Sequence, residues 1–576
     1  MVLLQRIKHI AIATAVLIIV LWISSIQYGR IDVTGDKRYT LNPSTVTFLE
    51  ELQDTIRFSV YLHGELPLAF AKMKREVNDM LNEYKRIGGA HVQILFIDPA
   101  SLSKGKNSIQ NTYKRLMQYG LKPYTIQEED EQGKLVQRYI LPGIIVSTSQ
   151  KYVPINLLAN ALGNSTEEQI YNALQQLEYQ CIKSMKQLTA KKRKNIAFLT
   201  DHKELDFQYV FDATMLLMEQ YNVDRISTQQ LFDSITKYDV VILAKPRTAL
   251  SEAHKYILDQ FVMHGGNLLI ATDNVGVNID SLQIRSHTTA YPLQLNSSDL
   301  FFNFGFRINN TIVLDNQCAT IPFNISPLGM PPRFEPAPWY YYPLLKPLRN
   351  SHHPITHAID VVKAEFASSL DTLEGNGTIQ KHILLASSAC SRTIGVPNPV
   401  GFSILDNVPD TTFFNTYYLP IAVLFEGSYN SLYKNRTAPI DTELIPKQFS
   451  PLYSSDSTKI IVISDGDIFK NEIEIRENDT IPKPMHYYKY FAVDKRIYTG
   501  NKDFFLNSVN YLCGDQELLN IRSRELKIRL LNKTRVVNER TYWQILNIAA
   551  PILILIIIAG VVLFIRKQKF GKKYVG

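Results

Sequence analysis

Two carboxylates, Asp465 and Asp467, stand in a pattern that can hold a cation. They occur in Ser464-Asp465-Gly466-Asp467, at the end of the apolar run Lys459–Ser464, which we predict to be a buried strand. Open α/β sheets bind ligands at the carboxyl ends of such strands, and paired carboxylates suit a divalent ion. The alternative is a tight turn in which Asp467 caps a following helix. We prefer the turn and keep both residues as candidate metal ligands.

Three histidines, His352, His353 and His357, lie in one proline-bounded loop. Metal-binding histidines usually follow a defined spacing, such as H-E-x-x-H on a helix, or have carboxylates nearby. This loop has neither feature. We therefore predict no metal there.

An aromatic cluster, Trp339, Tyr340, Tyr341 and Tyr342, follows a proline and precedes another. Such rings can stack on a sugar or on a peptide, which makes them candidate contacts for a ligand or a partner. More often a cluster of this kind packs the interior of an irregular segment. Packing is the preferred interpretation.

The motifs of nucleotide binding and of nucleophilic catalysis are missing from the sequence. There is no G-x-x-x-x-G-K-[ST] loop, and the turn after the predicted strand Ile196–Thr200 reads Asp201-His202-Lys203-Glu204 instead of G-x-G-x-x-G. There is also no Gly-x-Ser/Cys-x-Gly elbow, which a hydrolase on such a sheet requires. We predict no catalytic residue, no cofactor and no enzymatic activity.

The last part of the chain can cross a bilayer. Residues Ile545–Ile565 form a stretch of 21 residues without a charge, and a helix needs about 20 residues to span the hydrocarbon core. Tyr542 and Trp543 precede it, where aromatic rings prefer the headgroup layer. The basic residues that follow, and that the positive-inside rule places in the cytoplasm, are Arg566, Lys567, Lys569, Lys572 and Lys573 in the tail 566–576.

A second apolar run occupies residues 10–28, after a basic N-terminus at residues 1–9. Its length, the rings of Trp22 and Tyr28 at its far end, and the poor cleavage site at Ser24–Gln27 favour an uncleaved anchor over a signal peptide. Basic residues flank both spans on the same side. We therefore predict cytoplasmic termini, contact with membrane lipid, and large domains on the opposite face of the membrane.

Composition limits the remaining classes of function. The chain has 576 residues, a net charge of +8 and four cysteines. Much of the positive charge belongs to the membrane flanks, so the outer part is nearly neutral and we predict no nucleic-acid partner. The cysteines lie far apart without a C-x-x-C pair, so no zinc ribbon is expected and buried free thiols are the preferred interpretation.

Between the spans the periodicity predicts α/β domains. The first has the order β-α-β-α-β-β, which resembles a thioredoxin-like layer, and it contains no cysteine before Cys181. A flavodoxin-like or Rossmann-like core follows, because short apolar strands alternate with helices as in a parallel sheet covered on both faces. The predicted boundaries are 36–190 for the first domain, 195–281 and 456–520 for the core, 282–455 for a mixed β-rich insertion, and 521–541 for a membrane-proximal segment.

Several stretches, taken in order, resemble a known family. They are Arg38–Thr45 (RYTLNPST), Val60–Gly64 (VYLHG), Tyr256–Leu269 (YILDQFVMHGGNLL), Ser464–Glu472 (SDGDIFKNE) and Asn501–Leu512 (NKDFFLNSVNYL). Together they resemble GldG, the family of gliding-motility auxiliary subunits of ABC transporters in gliding Bacteroidetes. The likeness extends over nearly the whole chain.

The resemblance implies a central domain with an amidotransferase-like fold that lacks the catalytic cysteine. It also implies two protein partners, a GldF-like permease and a GldA-like ATPase, and a place in the bacterial inner membrane with periplasmic domains. We therefore expect a non-enzymatic, membrane-anchored accessory subunit of an ABC transporter linked to gliding motility. The alternative is a tethered solute-binding component of that transporter.

Overall fold

A computed structural model describes most of the chain. It describes Thr14, residues 40–522 and residues 539–571, with gaps in the middle range at 65, 100, 102–105, 130–134, 159–165, 191, 284–286, 328, 350, 352, 358, 374–377, 407–411, 477–478, 491–493 and 495. Residues 39–524 form one compact unit, and the two chain ends belong to a second. The predicted first span, with Trp22 and Tyr28, lies outside the described residues.

The first domain forms a layer of helices on a sheet. Its elements are α1 (Pro43–Glu50), β1 (Ile56–Val60), α2 (Leu68–Gly88), β2 (Val92–Phe96), α3 (Lys106–Gln118), β3 (Tyr124–Glu129), β4 (Leu135–Ile140), β5 (Gly143–Ser147), β6 (Tyr152–Asn156) and α4 (Thr166–Thr189).

Four strands of this domain make a sheet in the order β2-β1-β5-β6, in which only β1 and β2 are parallel. The strands β3 and β4 form a separate hairpin. The apolar stripe of α2, including Phe70, Met73 and Val77, is buried, as the helical spacing predicted. The sequence analysis missed β6, an edge strand interrupted by Pro154, and β3, which ends in two glutamates. The thioredoxin-like assignment stays a prediction.

The central domain begins with alternating strands and helices. These elements are β7 (Asn195–Leu199), α5 (Phe211–Met218), β8 (Asn222–Ile226), α6 (Thr228–Asp233), β9 (Val240–Ala244), α7 (Glu252–Met263) and β10 (Asn267–Ala271).

The region predicted to be an insertion consists mainly of short strands. Its elements are β11 (Val275–Gly276), β12 (His287–Pro292), α8 (Ser298–Asn303), β13 (Phe306–Ile308), β14 (Thr311–Asp315), β15 (Cys318–Asn324), β16 (Phe334–Leu345), β17 (Val362–Lys363), β18 (Leu370–Thr372), β19 (Ile379–Ala386), β20 (Ser391–Gly395), β21 (Asn398–Gly401), α9 (Ser403–Asp406) and β22 (Pro420–Gly427).

The chain then returns to the central domain and continues to the membrane segment. These elements are β23 (Thr458–Ile463), β24 (Ile473–Arg476), β25 (Asp479–Pro482), α10 (Gly500–Leu512), α11 (Gln516–Arg522) and α12 (Arg540–Gly571).

The central sheet has seven strands in the order β19-β22-β23-β10-β9-β7-β8. The five from β8 to β23 are parallel, and numbered along the chain they run 2-1-3-4-5, the order of flavodoxin-like sheets. The sequence analysis missed β8 because this edge strand carries two charges in five residues. Helices cover both faces of the sheet, with α5 and α10 on one side and α6 and α7 on the other.

The structure corrects the predicted separation of sheet and insertion. Both β19 and β22 lie within residues 282–455, yet they extend the central sheet through antiparallel pairing with β23. The sheet is therefore mixed, not parallel throughout. Pairing with β22 provides hydrogen-bond partners for the edge of β23, which would otherwise be left open.

The helix α12 contains the predicted last span. Its segment Arg540–Gln568 is long and apolar enough to cross a bilayer, and none of its most apolar stretch is buried. Residues 523–538, which make up most of the predicted membrane-proximal segment, lie outside the described residues. All four cysteines are free, and Cys181, Cys318 and Cys513 are buried as expected, whereas Cys390 is exposed.

Candidate functional site

Charged residues gather at the carboxyl ends of three neighbouring parallel strands. Lys245 follows β9 directly, Asp273 comes two residues after β10, and Asp465 and Asp467 follow β23. Because parallel strands end at the same edge of a sheet, these four side chains meet there. One carboxylate oxygen from each aspartate lies within 4.8 Å of the other two. We call these four residues the Lys245 cluster.

The ammonium group of Lys245 lies among the carboxylates. Its Nζ is 3.1 Å from Asp273 Oδ2 and forms a second ion pair with Asp467 Oδ2, and only 6% of the side chain is exposed. The backbone of Lys245 is left-handed, with φ at +58°, which costs a residue with a side chain about 1–2 kcal/mol.

Backbone N–H groups hold the carboxylates of the cluster in place. Asp465 accepts the N–H of Asp467 and the N–H of Glu365, both at 2.7 Å, and Asp273 accepts the N–H of Gly466 at 2.6 Å. A Cβ atom on Gly466 would lie 2.5 Å from Cγ of Lys245. Glycine is therefore needed at this position for the lysine to reach the carboxylates.

The pKa values of Asp465 and Asp467 depend on burial and on the neighbouring charges. Burial raises the pKa of Asp465 well above its ordinary value, and the negative charges of Asp467 and Asp273 raise it further. Burial acts in the same direction on Asp467, but the ammonium groups of Lys245 and Lys470 outweigh it and hold the pKa of Asp467 below its usual range. The cluster therefore keeps an ionised Asp467 paired with cations.

A small cavity lies beside the cluster, lined by Asp467, Lys470, Lys363 and Glu365, among others. Its volume is about 20 Å³, and a cavity of roughly 10–15 Å³ already holds one water. The buried Oδ1 of Asp467 faces Lys470 Nζ at 3.4 Å and has no closer partner among the described residues. The space and the polar groups suit a water, not a solute.

Asp465 and Asp467 therefore lie in one cluster with Asp273 and with the ammonium of Lys245, a cation that belongs to the chain itself. The sequence analysis named Asp465 and Asp467 but not Lys245 or Asp273, because residues more than 190 positions apart carry no local signal. The preferred turn is present, since Lys470 N–H donates to Asp467 O at 3.0 Å. The predicted helix after Asp467 is wrong, because residues 466–469 form only a turn.

The ends of β7 and β9, where the strand order reverses, form the usual ligand crevice of this topology. Here the two following loops are bonded to each other. The N–H of Leu205 donates to Ala244 O at 3.0 Å, and the N–H of Arg247 donates to His202 O at 2.7 Å. Backbone hydrogen bonds thus close the crevice.

A chain of three polar side chains lies at the same place. His202 Nδ1 is 3.0 Å from Glu204 Oε1, and His202 Nε2 is 2.8 Å from Nδ1 of His254, the third residue of α7. Both His202 and Glu204 are buried. Burial lowers the pKa of His254 and the neighbouring His202 lowers it further, while Asp201 and Glu204 partly offset the shift. The sequence analysis passed over this group because His254 is 52 residues away from His202.

The other residues named from the sequence lie elsewhere. Trp339, Tyr340, Tyr341 and Tyr342 occupy β16 with their side chains buried in a third core, that of the β-rich region. This placement agrees with the preferred interpretation, in which the aromatic cluster packs the interior.

The histidine loop offers no metal site among the residues described. Burial and His382 lower the pKa of His353 to about 4, and His357 lies nearby, while His352 is outside the described part of the chain. No group of three potential ligands includes either described histidine.

The predicted anchor residues of the last span are exposed on α12. Tyr542 and Trp543 lie in its first turn, and Arg566 and Lys567 follow its apolar part. Lys569 falls within the helix, and its side chain is not described.

The fold and this edge define a membrane-linked α/β protein whose usual ligand positions are closed by its own side chains and backbone. Residues 193–508, more than half of the chain, match the family described as an auxiliary component of an ABC-type uncharacterized transport system. The chain belongs to this family. Residues 35–147 match DUF7088, a domain of unknown function.

Two individual proteins are similar to this chain. An uncharacterized protein of Borreliella burgdorferi is 22% identical over 574 residues, covering 95% of each chain. The solved mmIFT52 N-terminal domain is 13% identical with a TM-score of 0.30, covering 56% of this chain and 97% of that one.

We expect the substitution Lys245→Met to destabilise the central domain strongly. It keeps most of the side-chain length but leaves buried carboxylates without their cation, and breaking a buried ion pair costs about 3–5 kcal/mol. Urea unfolding followed by fluorescence measures the loss. The triple variant Lys245→Met/Asp273→Asn/Asp467→Asn should recover a large part of it.

Lys237→Met is the matched control. Lys237 pairs with Asp224 at 2.9 Å, but both side chains are more than 40% exposed, so we expect a much smaller loss of stability than for Lys245→Met. Equal losses for the two lysines would contradict the proposed role of Lys245. So would a rise in the wild-type unfolding midpoint on adding Mn²⁺ that depends on Asp465 and Asp467.

The histidine pair predicts a pH dependence. The hydrogen bond between the two rings needs one unprotonated nitrogen, and the folded state lowers the pKa of His254. The unfolded chain therefore binds a proton at this histidine more tightly than the folded chain does. The contribution of His254 to the free energy of unfolding is fully present above about pH 6.5 and decreases as the pH falls below that value. We expect this residue to contribute a loss of stability as the pH falls from 7 to 5.

His254→Gln tests this contribution, because it removes the titrating ring from this position. The difference in unfolding free energy between the wild type and the variant should narrow as the pH falls from 7 to 5. A difference that stays constant with pH would show that His254 does not titrate between the two states.

Proposed function

We propose that this protein is a non-enzymatic accessory subunit of an ABC transporter, anchored in the bacterial inner membrane. Its membership of the auxiliary family supports the link to a transporter. The observation that carries the non-enzymatic part is the position of Lys245, whose ammonium lies where a ligand or a catalytic cation would have to bind. This ammonium already supplies the positive charge that a bound metal ion would otherwise bring to Asp273 and Asp467.

The alternative, a tethered solute-binding component, has less support. Pockets for small molecules usually measure about 300–1,000 Å³, whereas the cavity beside the Lys245 cluster measures about 20 Å³. The crevice between β7 and β9 is bridged by backbone hydrogen bonds. The aromatic side chains Trp339 and Tyr342 are buried and offer no stacking surface. We therefore favour protein contacts over solute capture.

We propose that the folded domains lie in the periplasm and both termini in the cytoplasm. The support is the basic residues Arg566 and Lys567 after the apolar part of α12 and the basic flank of the predicted first span. The proposed partners are a GldF-like permease and a GldA-like ATPase. Both partners and the link to gliding motility rest on the sequence stretches that resemble GldG.

Thiol labelling in intact cells tests the orientation. In a Cys390→Ser background, a cysteine in place of the exposed Met330 should react with a membrane-impermeant maleimide, because the domains are predicted to face the periplasm. A cysteine in the tail after Arg566 should react only after lysis. The reverse pattern would reject the periplasmic placement.

The membrane helix itself should contribute to binding the permease. Pro551 lies inside α12, and a Cβ atom on Gly560 would have open space around it, so a neighbouring helix can approach closely there. Replacing Asn547–Ile565 with an unrelated apolar helix of equal length should reduce recovery of the permease in a detergent pull-down. The unfolding midpoint of the outer domains should stay unchanged.

The variant with the replaced helix distinguishes two possible roles of α12. If it recovers the permease as well as the wild type does, the helix serves only as an anchor and the contact lies in the outer domains. If neither protein recovers a permease, the accessory-subunit proposal fails and solute capture becomes the better hypothesis.

A further inference from the structure

The two ends of the folded body meet at one point. The side-chain amide of Asn42, the N-cap of α1, donates to the backbone carbonyl of Asn520 in α11 at 3.0 Å. The chain before α1 comes from the N-terminal segment, and the chain after Arg522 leads to α12. The start of α1 and the last turn of α11 are therefore neighbours in the folded body.

The helix α11 belongs to the cores of two domains at once. Leu518 and Ile521 are buried in the core of the first domain, with residues of α1, α2 and α4. The adjacent Leu519 is buried in the core of the central domain, with residues of α5 and α10. Neighbouring side chains of one short helix thus point into different cores.

Polar contacts hold α11 from both sides. The guanidinium of Arg522 pairs with Asp503 and donates to Asn507 Oδ1 at 2.9 Å, both on α10, and it lies 5.5 Å from the centre of the Tyr179 ring on α4. Glu517 forms an ion pair of 2.5 Å with Lys186, also on α4. The contacts of Arg522 thus connect the two domains directly.

Glu178 of α4 fixes the start of α1 beside this helix. One of its carboxylate oxygens accepts both the N–H of Asn42 and the hydroxyl of Thr45 at 2.7 Å. Asn42 also caps α1 by accepting the N–H of Ser44 at 3.0 Å. The N-terminal connection is therefore held by the same helix, α4, that pairs with α11.

An isolated helix of seven residues is unstable in water, because helices shorter than about 12–15 residues do not offset the cost of nucleation. The helical state of α11 therefore depends on packing against both domains. If α11 loses its contacts with one domain, its helical state is weakened, and its contacts with the other domain are weakened as well. A disturbance of α11 therefore acts on both domains together.

We propose that α11 is a coupling element that joins the first domain and the central domain into one mechanical unit. A disturbance of this helix would loosen both domains and not one alone. The coupling concerns this chain only and does not depend on the identity of the transporter.

The adjacent leucines provide a matched test. Leu518→Ala and Leu519→Ala remove the same atoms from the two sides of α11, and hydrogen–deuterium exchange of the full chain in detergent measures the effect. If α11 couples the domains, each variant should raise the exchange rates of both α1 and α10 by about ten-fold or more, because a loosened α11 releases both.

Two core variants that avoid α11 serve as controls. Val77→Ala removes buried atoms from α2 in the first domain, and Val262→Ala removes them from α7 in the central domain. Each should raise exchange only in its own domain. The milder pair Leu518→Val and Leu519→Val replaces the alanine variants if these do not accumulate as folded protein.

The proposal fails if Leu518→Ala changes exchange only in the first domain and Leu519→Ala only in the central domain. It also fails if neither variant changes exchange outside α11. Either result would show that the helix fills space between two independently moving domains.

Discussion

A buried ammonium has to be paired, and the edge of the central sheet is arranged around this requirement at Lys245. The side chain reaches its carboxylates through a left-handed turn at the end of β9, and Gly466 leaves the room for it. Asp273 and Asp467 supply the negative charge, from the ends of β10 and β23. Three strands that are distant in sequence are thus tied together where a ligand-binding protein of this topology would stay open.

This pairing of charges supports the proposed role through protein contacts. An enzyme needs groups that can exchange protons or electrons with a substrate, and a binding protein needs an open cavity. In the Lys245 cluster the charged groups satisfy one another, and at the neighbouring strand ends His202, Glu204 and His254 form a closed chain of hydrogen bonds. The protein keeps the scaffold of a ligand-binding sheet, while its polar residues stabilise the edge.

The helix α11 also brings together parts of the fold that are distant in sequence. Its side chains contact two domains, beside the start of α1. Leu518 and Leu519 are neighbours in α11 but lie in different cores, and Arg522 bridges α10 and α4. A short helix shared by two cores can join the two domains that it contacts.

The sequence by itself determined the elements whose signal is local. The apolar runs that became β7, β9, β10 and β23, the helical stripe of α2 and the charge-free stretch of α12 follow from periodicity and length alone. The order of parallel strands and the addition of β19 and β22 to their sheet were decided by tertiary structure, because strand pairing joins residues that are far apart in the chain. The candidate site shows the same division. Sequence placed Asp465 and Asp467 at a strand end, but only folding brought Lys245 to Asp467 and Asp273 to both aspartates, since such contacts depend on distance in space and leave no pattern in the order of residues.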